Sequence, residues 1–317
     1  MKLVGIMPVR NEDWILGFSL RVALKWCDAV CLQLHSCVDR SEDIMLAVAG
    51  EDASRVCWHS VHEVGWNEMS NRQKLLDAAR WIGATHIALI DADEVLTANL
   101  LPGIRGIVEA TPSSIMLDLP LYNLRAMGNS FAVIDKGVQD GWKQKMAFPN
   151  YHANGIWGQR WIATAFEDRP ELNWQGDQFH HREPFGCNWR RSRPIPFSVD
   201  VPTAQWRIIA QDGGGVMHFW GASERRLRAK HALYKITERI RFPRKRITEI
   251  DEYYNLAIIP REPWTFKAIR PEWIEPYGDL MRYLDVDREP WQEVESKRLY
   301  QQYGAKLFDG LDLFGVV

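Results

Sequence analysis

Asp91, Ala92, Asp93 and Glu94 follow directly on the apolar run from Ile87 to Ile90, so three acids crowd the end of a strand-like segment. Carboxylates this close repel one another unless a cation neutralises them. Hard oxygen donors of this kind suit Mg²⁺ or Mn²⁺, which in turn hold phosphate oxygens. In parallel α/β sheets ligands gather at the carboxyl ends of strands, which is where these acids fall. The plainer reading is a helix N-terminus carrying acids that favour its dipole. His218 is the second candidate, in the strand-like stretch Val216–Trp220 behind three glycines. A neutral imidazole can ligate Mn²⁺, though it can equally be a half-buried, hydrogen-bonded His.

The elements that must position these groups alternate over the first 123 residues. Leu3–Val9 is a continuous apolar run, as a strand buried on both faces requires. Leu16, Leu20, Ala23 and Leu24 follow at helical spacing, then strand-like runs at 29–34 and 55–61. Ser70–Gln73 has capping-box spacing, Leu75, Leu76, Ala79 and Ile82 give that helix a buried face, and Gly83 can end it. His86–Ile90 and 114–122 read as further strands. Such alternation predicts a mostly parallel, doubly wound α/β sheet. From Gly128 to about Gly215 the rhythm is lost to a loop-rich middle with Trp, Gly, Pro, His and Asn. Helical spacing returns from Ser223, where Ala229, Leu233, Ile236 and Ile240 share a face, and again from Trp291 to Leu307. The division expected is 1–222 for the sheet domain and 223–317 for a helical C-terminal extension.

Four further segments fall in a telling order. Met7-Pro8-Val9-Arg10-Asn11-Glu12 ends the first strand, and Val38-Asp39-Arg40-Ser41-Glu42-Asp43 ends the second. Asn71-Arg72 opens a helix, and Gly83-Ala84-Thr85-His86 feeds the acidic strand. In this order and spacing the chain resembles family 2 glycosyltransferases of the GT-A fold, well over residues 3–100 and weakly to about 235. The resemblance implies that Pro8, Arg10, Asn11 and Glu12 border the nucleotide-sugar and that Asp39 meets the base. It implies that Arg72 lies near the base or diphosphate, that Asp91 approaches the ribose or the metal, and that Asp93 and His218 ligate the metal. Arg40 stands where the family often has Gly.

The reaction implied is transfer of a sugar from a nucleoside diphosphate donor, UDP by family habit, with inversion at the anomeric carbon. A Mn²⁺ or Mg²⁺ ion stabilises the departing diphosphate, and a carboxylate takes the acceptor's proton. Asp177 and then Glu183, beside His180, His181 and Arg182, are the candidates for that base. The acceptor is left open among a glycan, a lipid-linked sugar, a protein and modified DNA.

Composition narrows the alternatives. The chain has 317 residues, 39 Lys and Arg against 41 Asp and Glu, and a net charge of -2, so it is not basic throughout. Its five cysteines form no CxxC pair, which fits reduced thiols better than a zinc site or disulfide framework. No apolar run is long enough for a signal-peptide core or a membrane span, and the expectation is a cytoplasmic protein. Between Arg225 and Arg246 ten cations face one acid, Glu238, a local net of ten minus one, or +9. That run fits a solvated helix face, or a surface for diphosphate, anionic lipid or nucleic acid. The 15 tryptophans, including Trp142, Trp157, Trp161, Trp174 and Trp189 in the middle, can pack or offer stacking platforms. Three rival readings follow: a haloacid-dehalogenase-type phosphatase with Asp91 as nucleophile, a non-catalytic nucleic-acid-binding protein, and a glycosyltransferase acting on hydroxylated DNA bases.

Overall fold

The computed structural model describes residues 1–63, 65–113, 115–128, 130–136, 160–174, 208–210, 212–255, 258 and 265–317. Strand β1 (Leu3–Val9) is apolar because its alternate side chains serve two cores. Leu3, Met7 and Val9 pack with helices α1 (Leu16–Trp26) and α2 (Ser41–Glu51). Val4 and Ile6 pack with α3 (Glu68–Trp81) on the opposite face. A strand covered on both sides has no wet face to keep polar.

β1 lies between β2 (Ala29–His35) and β4 (His86–Leu89), parallel to both, and β3 (Val56–Val61) is parallel beyond β2. The chain therefore winds outward to β3 and returns across β1 to β4. Its topological switch point falls between the carboxyl ends of β1 and β4, where open α/β sheets form their ligand crevice.

Beyond β4 come β5 (Glu94–Leu96), β6 (Leu117–Met127), β7 (Ser130–Lys136), β8 (Arg160–Glu167), β9 (Val216–His218) and β10 (Thr265–Ala268). The order along the sheet is β10-β7-β6-β8-β4-β1-β2-β3, with β5 and β9 paired beside β6. On that path β7 and β8 run against the other six strands, as their antiparallel pairings require. The sheet is thus mostly parallel in strand direction and doubly wound, as the strand–helix alternation led one to expect. β6 outruns its apolar segment because Leu117–Leu121 pair with β8 and Leu124–Met127 pair with β7.

The remaining helices are α4 (Ile104–Ala110), α5 (Glu224–Arg241), α6 (Ile247–Asn255), α7 (Pro271–Ile274) and α8 (Trp291–Tyr303). The part after 223 is mainly helical, yet it also supplies β10 to the sheet edge against β7. One boundary differs from expectation. α3 is capped by Asn67, whose side chain accepts from Ser70 N, so the helix starts a turn before the Ser70–Gln73 capping box. Asn is as good a cap as Ser, and the extra turn gives Glu68 and Arg72 an i,i+4 ion pair. Among the described residues no helix is long and apolar enough to cross a membrane.

The glycines before β9 have a steric purpose. Gly215 passes so close to β6 that a Cβ there would lie 2.1 Å from the Pro120 carbonyl oxygen. Its N–H donates to Thr97 Oγ1 at 2.9 Å and its carbonyl accepts from Thr97 N at 2.8 Å, which clamps the entry to β9. Gly215→Ala should therefore cost about 2 kcal/mol or more, since backbone rather than a movable side chain must give way. An unchanged denaturation midpoint in urea would refute this account of the β9 entry.

Candidate functional site

At the carboxyl end of β1 the chain turns sharply through Asn11, whose φ of 56° is left-handed, a conformation Asn tolerates. The Asn11 Oδ1 accepts from Val38 N at 2.7 Å, and Glu12 N donates to Ser41 Oγ at 2.9 Å. Asp39 accepts from Asp13 N and from Ser41 N, both at 2.9 Å. Asn11 and Asp39 thus tie the loop after β1 to the loop after β2. Arg40 has φ -84°, so this turn needs no glycine. Pro8 lies within β1 opposite Gln33.

Between the two loops and the start of α3 lies a set of buried nitrogens. Arg72, on the first turns of α3, bonds Glu68 Oε1 at 2.6 Å and Asp91 Oδ1 at 2.8 Å. Burial works against its charge, but the two carboxylates more than offset that and hold it firmly protonated. Gln33 Nε2 donates to Asn71 Oδ1 at 2.6 Å, and His59 Nε2 meets Gln33 Oε1 at 3.1 Å. His35 lies edge-on to Trp66, ring centres 5.0 Å apart, and is kept below its ordinary pKa by burial and by nearby Arg10. Arg10 Nε, Asn71 Nδ2 and Arg72 Nη1 are buried with no hydrogen-bond partner among the described residues. Each such donor costs roughly 1–3 kcal/mol if nothing accepts from it. Three at one sheet end call for an acceptor-rich ligand.

The acidic turn itself is held by its own members. Glu94 N donates to Asp91 O at 2.9 Å and the buried Glu94 carboxylate accepts from Asp91 N at 3.2 Å, so Glu94 shapes the turn. Strand register then brings His218 to Asp93. Glu94 pairs with His218 across β5 and β9, and Asn123 pairs with His218 across β6 and β9. His218 Nε2 consequently lies 3.5 Å from Asp93 Oδ2, while Nδ1 lies 2.9 Å from Asn123 Oδ1. The bond to that amide oxygen fixes the ring so that Nε2 is turned toward the Asp93 carboxylate. A half-buried carboxylate in this setting calls for a cation beside it.

That cation, in this structure, is Lys230 from α5, with Nζ 3.7 Å from Asp93 Oδ2. Burial tends to raise the Asp93 pKa, but His218 and Lys230 reverse this and hold it ionised well below the usual carboxylate range. Glu12 goes the other way. Burial, then the field of Asp93, pushes its pKa up to about 8, while Lys230 and the 2.6 Å bond from Trp14 Nε1 oppose the rise. One crevice thus holds a carboxylate kept charged and a second kept protonated at neutral pH.

The structure brings Arg10, Glu12, Arg72, Asp91, Asp93 and His218 to the carboxyl end of β1 and β4, and gives Asn11 and Asp39 to loop closure. Asp91 is held by Arg72 rather than by His218, and among the described residues no three His, Cys, Asp or Glu side chains gather as a metal cluster. Asp177 and Glu183 lie outside the described residues, as do Trp142, Trp157 and Trp189. Trp174 is buried against Phe166 and offers no open platform. The residues that sequence reading missed are Lys230, hidden in a run of ten cations, and Asn123, visible only through strand register.

Part of the run points inward and part forms surface ion pairs: Arg226 and Lys235 are buried and Lys230 is half-buried, whereas Arg225, Arg228, Arg241, Arg244 and Arg246 are exposed. Arg225 bonds Glu289 and Glu293, Arg226 covers Trp14, Arg228 bonds Glu224 and Lys230 meets Asp93. Lys235 bonds Asp251, Arg239 reaches two carbonyls, Lys245 bonds Glu238 and Arg246 bonds Glu249.

No family model matches the chain, and no curated protein matches it in sequence. Among solved structures it is similar to S. aureus TarS 1-349 in complex with UDP-GlcNAc, at 9% identity and TM-score 0.43 over 98% of this chain and 93% of that one. With the same protein bound to UDP the likeness covers 41% of this chain and 39% of that one, at 14% identity and TM-score 0.32. It is also similar to glucosyl-3-phosphoglycerate synthase from Mycobacterium tuberculosis in complex with Mg²⁺ and UDP, at 16% identity and TM-score 0.27, over 40% and 44% of the two chains. Likenesses this distant carry no argument about chemistry, which rests on the site itself.

The Glu12 environment has a measurable consequence. A carboxyl raised from 4.5 to about 8 in the fold contributes stability that is complete below pH 4.5 and is lost as pH rises to about 8. In EDTA, the melting midpoint of wild type should therefore fall across that window relative to Glu12→Gln. Parallel pH profiles for the two proteins would exclude a protonated Glu12.

Proposed function

We propose that the chain is a glycosyltransferase that binds a nucleoside diphosphate sugar at the carboxyl ends of β1 and β4. One observation carries the reading. Buried N–H donors without acceptors among the described residues stand beside a carboxylate–imidazole pair at the switch point of a doubly wound sheet. A nucleoside diphosphate supplies what each part lacks: carbonyl and phosphate oxygens for the donors, and negative charge for cations near Asp93.

The donor set suits a divalent ion. Asp93 Oδ2 and His218 Nε2, 3.5 Å apart, are an oxygen and a nitrogen donor close enough to serve one ion. Mg²⁺ and its like need only one or two protein ligands when phosphates complete the shell. Asp93 and His218 would hold the metal, and Asn123 keeps the imidazole in the ligating tautomer. When bound, such an ion neutralises charge on the departing diphosphate.

The chain's own residues do the rest. Arg72, fixed by Glu68 and Asp91, aims its free Nη1 at the nucleotide, while Arg10 and Asn71 donate to acceptors nearer the base. Asp91, half-exposed and oriented by Arg72, faces the ribose. Transfer proceeds with inversion, and the proton leaving the acceptor hydroxyl passes to a carboxylate, with Asp177 and Glu183 as the candidates. The ion pair with Arg72 speaks against Asp91 as a phosphatase nucleophile, and Lys230 and Lys235 of the basic run are spent on internal acids rather than on a nucleic-acid surface.

The test is a thermal shift against a panel of nucleoside diphosphate sugars, each with and without Mn²⁺ or Mg²⁺. A native-state ligand at 100 times its dissociation constant stabilises by about 2.7 kcal/mol, which a melt resolves easily. Asp93→Asn should melt cooperatively and lose the metal-dependent part of the shift. No shift with any donor at millimolar concentration, or an undiminished shift in Asp93→Asn, would overturn the reading.

A further inference from the structure

Lys230 is placed where a metal-binding carboxylate would have to find its cation. Ser223 caps α5 by accepting from Arg226 N, and the short link from β9 through Gly221 sets the helix directly over the acidic turn. Two turns in, the Lys230 ammonium approaches Asp93 Oδ2, the same oxygen that faces His218 Nε2. Its side chain is 22% exposed and that of Asp93 13%, so the pair is half-buried rather than sealed.

Three charged species therefore compete for one oxygen: the ammonium already present, an imidazolium if His218 is protonated, and a divalent ion. A divalent ion and an ammonium a few ångströms apart repel strongly where water is scarce. A diphosphate resolves the conflict, because its several anionic oxygens accept from an ammonium and coordinate a metal at the same time. A lysine stem, with its rotatable bonds, can swing the ammonium from Asp93 to a phosphate without any shift of backbone.

We propose that Lys230 is the resident counter-ion of Asp93, which keeps the Asp93–His218 pair closed to divalent metal until a diphosphate draws the ammonium onto its own oxygens. The inference rests on the nucleotide-sugar reading and deepens it. Diphosphate and metal then bind in a coupled manner, with the lysine exchanging one anion for another.

Two measurements on the full chain test this, with wild type, Lys230→Met and Lys230→Arg. Isothermal titration with Mn²⁺ alone should give at least tenfold tighter binding for Lys230→Met than for wild type, because the competing charge is gone. Isothermal titration with inorganic pyrophosphate in EDTA should give at least tenfold weaker binding for Lys230→Met. Lys230→Arg, which keeps the charge, should follow wild type in both. Equal Mn²⁺ affinity in wild type and Lys230→Met, or undiminished pyrophosphate binding in Lys230→Met, overturns the proposal. So does a Lys230→Met that loses both affinities, since removing a competitor cannot weaken metal binding. Absence of any nucleoside diphosphate binding by wild type is a separate outcome and would remove the nucleotide-sugar reading underneath.

Discussion

Glu12, Asp91 and Asp93 converge on the carboxyl ends of two neighbouring strands, and the surrounding structure is arranged to carry that negative charge. Each acid has its own solution. Asp91 is paired with Arg72, which is itself steadied by Glu68. Asp93 is kept ionised by His218 and Lys230, and Glu12 escapes repulsion by holding its proton. Full ionisation of all three within a half-buried crevice would cost several kcal/mol, far more than the 0–1 kcal/mol at stake in a surface pair. The cations that settle the matter come from distant parts of the chain, α3 and α5, so the site exists only once the whole sheet has closed.

The sheet side of this arrangement was legible in the sequence because it obeys local rules. β1 is a continuous apolar run since both its faces are covered, and the Asp91–Glu94 turn follows an equally apolar β4. Asn11 and Asp39 stood out as polar residues after strands, but what they do is fasten two loops to each other. Residue type announced a site there, and only the hydrogen-bond partners separate a group that touches ligand from one that positions its neighbour. The start of α3 was misread because Asn67 and Ser70 are both good caps, and the choice between them turns on the ion pair the longer helix gains.

The resemblance expected His218 beside Asp93, but why the two meet, and which residue holds the ring, depends on register between segments more than 90 residues apart. His218 meets Asp93 because β9 inserts between β5 and β6, and Asn123 holds the ring because the same strand lies against β6. No local pattern encodes that, except the run of glycines that permits the approach. The basic run on α5 misled in the opposite direction. By composition it is a charged surface, whereas by contact it is a set of bonds to acids, carbonyls and an aromatic ring, with Lys230 and Lys235 turned inward.

This inward use of cations explains why the helical segment after residue 223 is bound so closely to the sheet. Arg226 lies over the Trp14 ring at 3.9 Å, and Trp14 in turn donates to Glu12, so the helix touches the acid through a single intermediary. Arg288 pairs with Asp13 at 2.6 Å, and Arg10 lies 5.2 Å from the Trp291 ring, so the last helix closes over the end of β1. Such contacts would be costly ornaments on an independent appendage, because each takes a charge out of water. They make sense if the C-terminal part supplies the positive wall of a crevice whose negative wall is built by β1 and β4. The parts before and after residue 223 thus meet along this crevice, where Lys230, Arg226 and Arg288 lie against Asp93, Trp14 and Asp13.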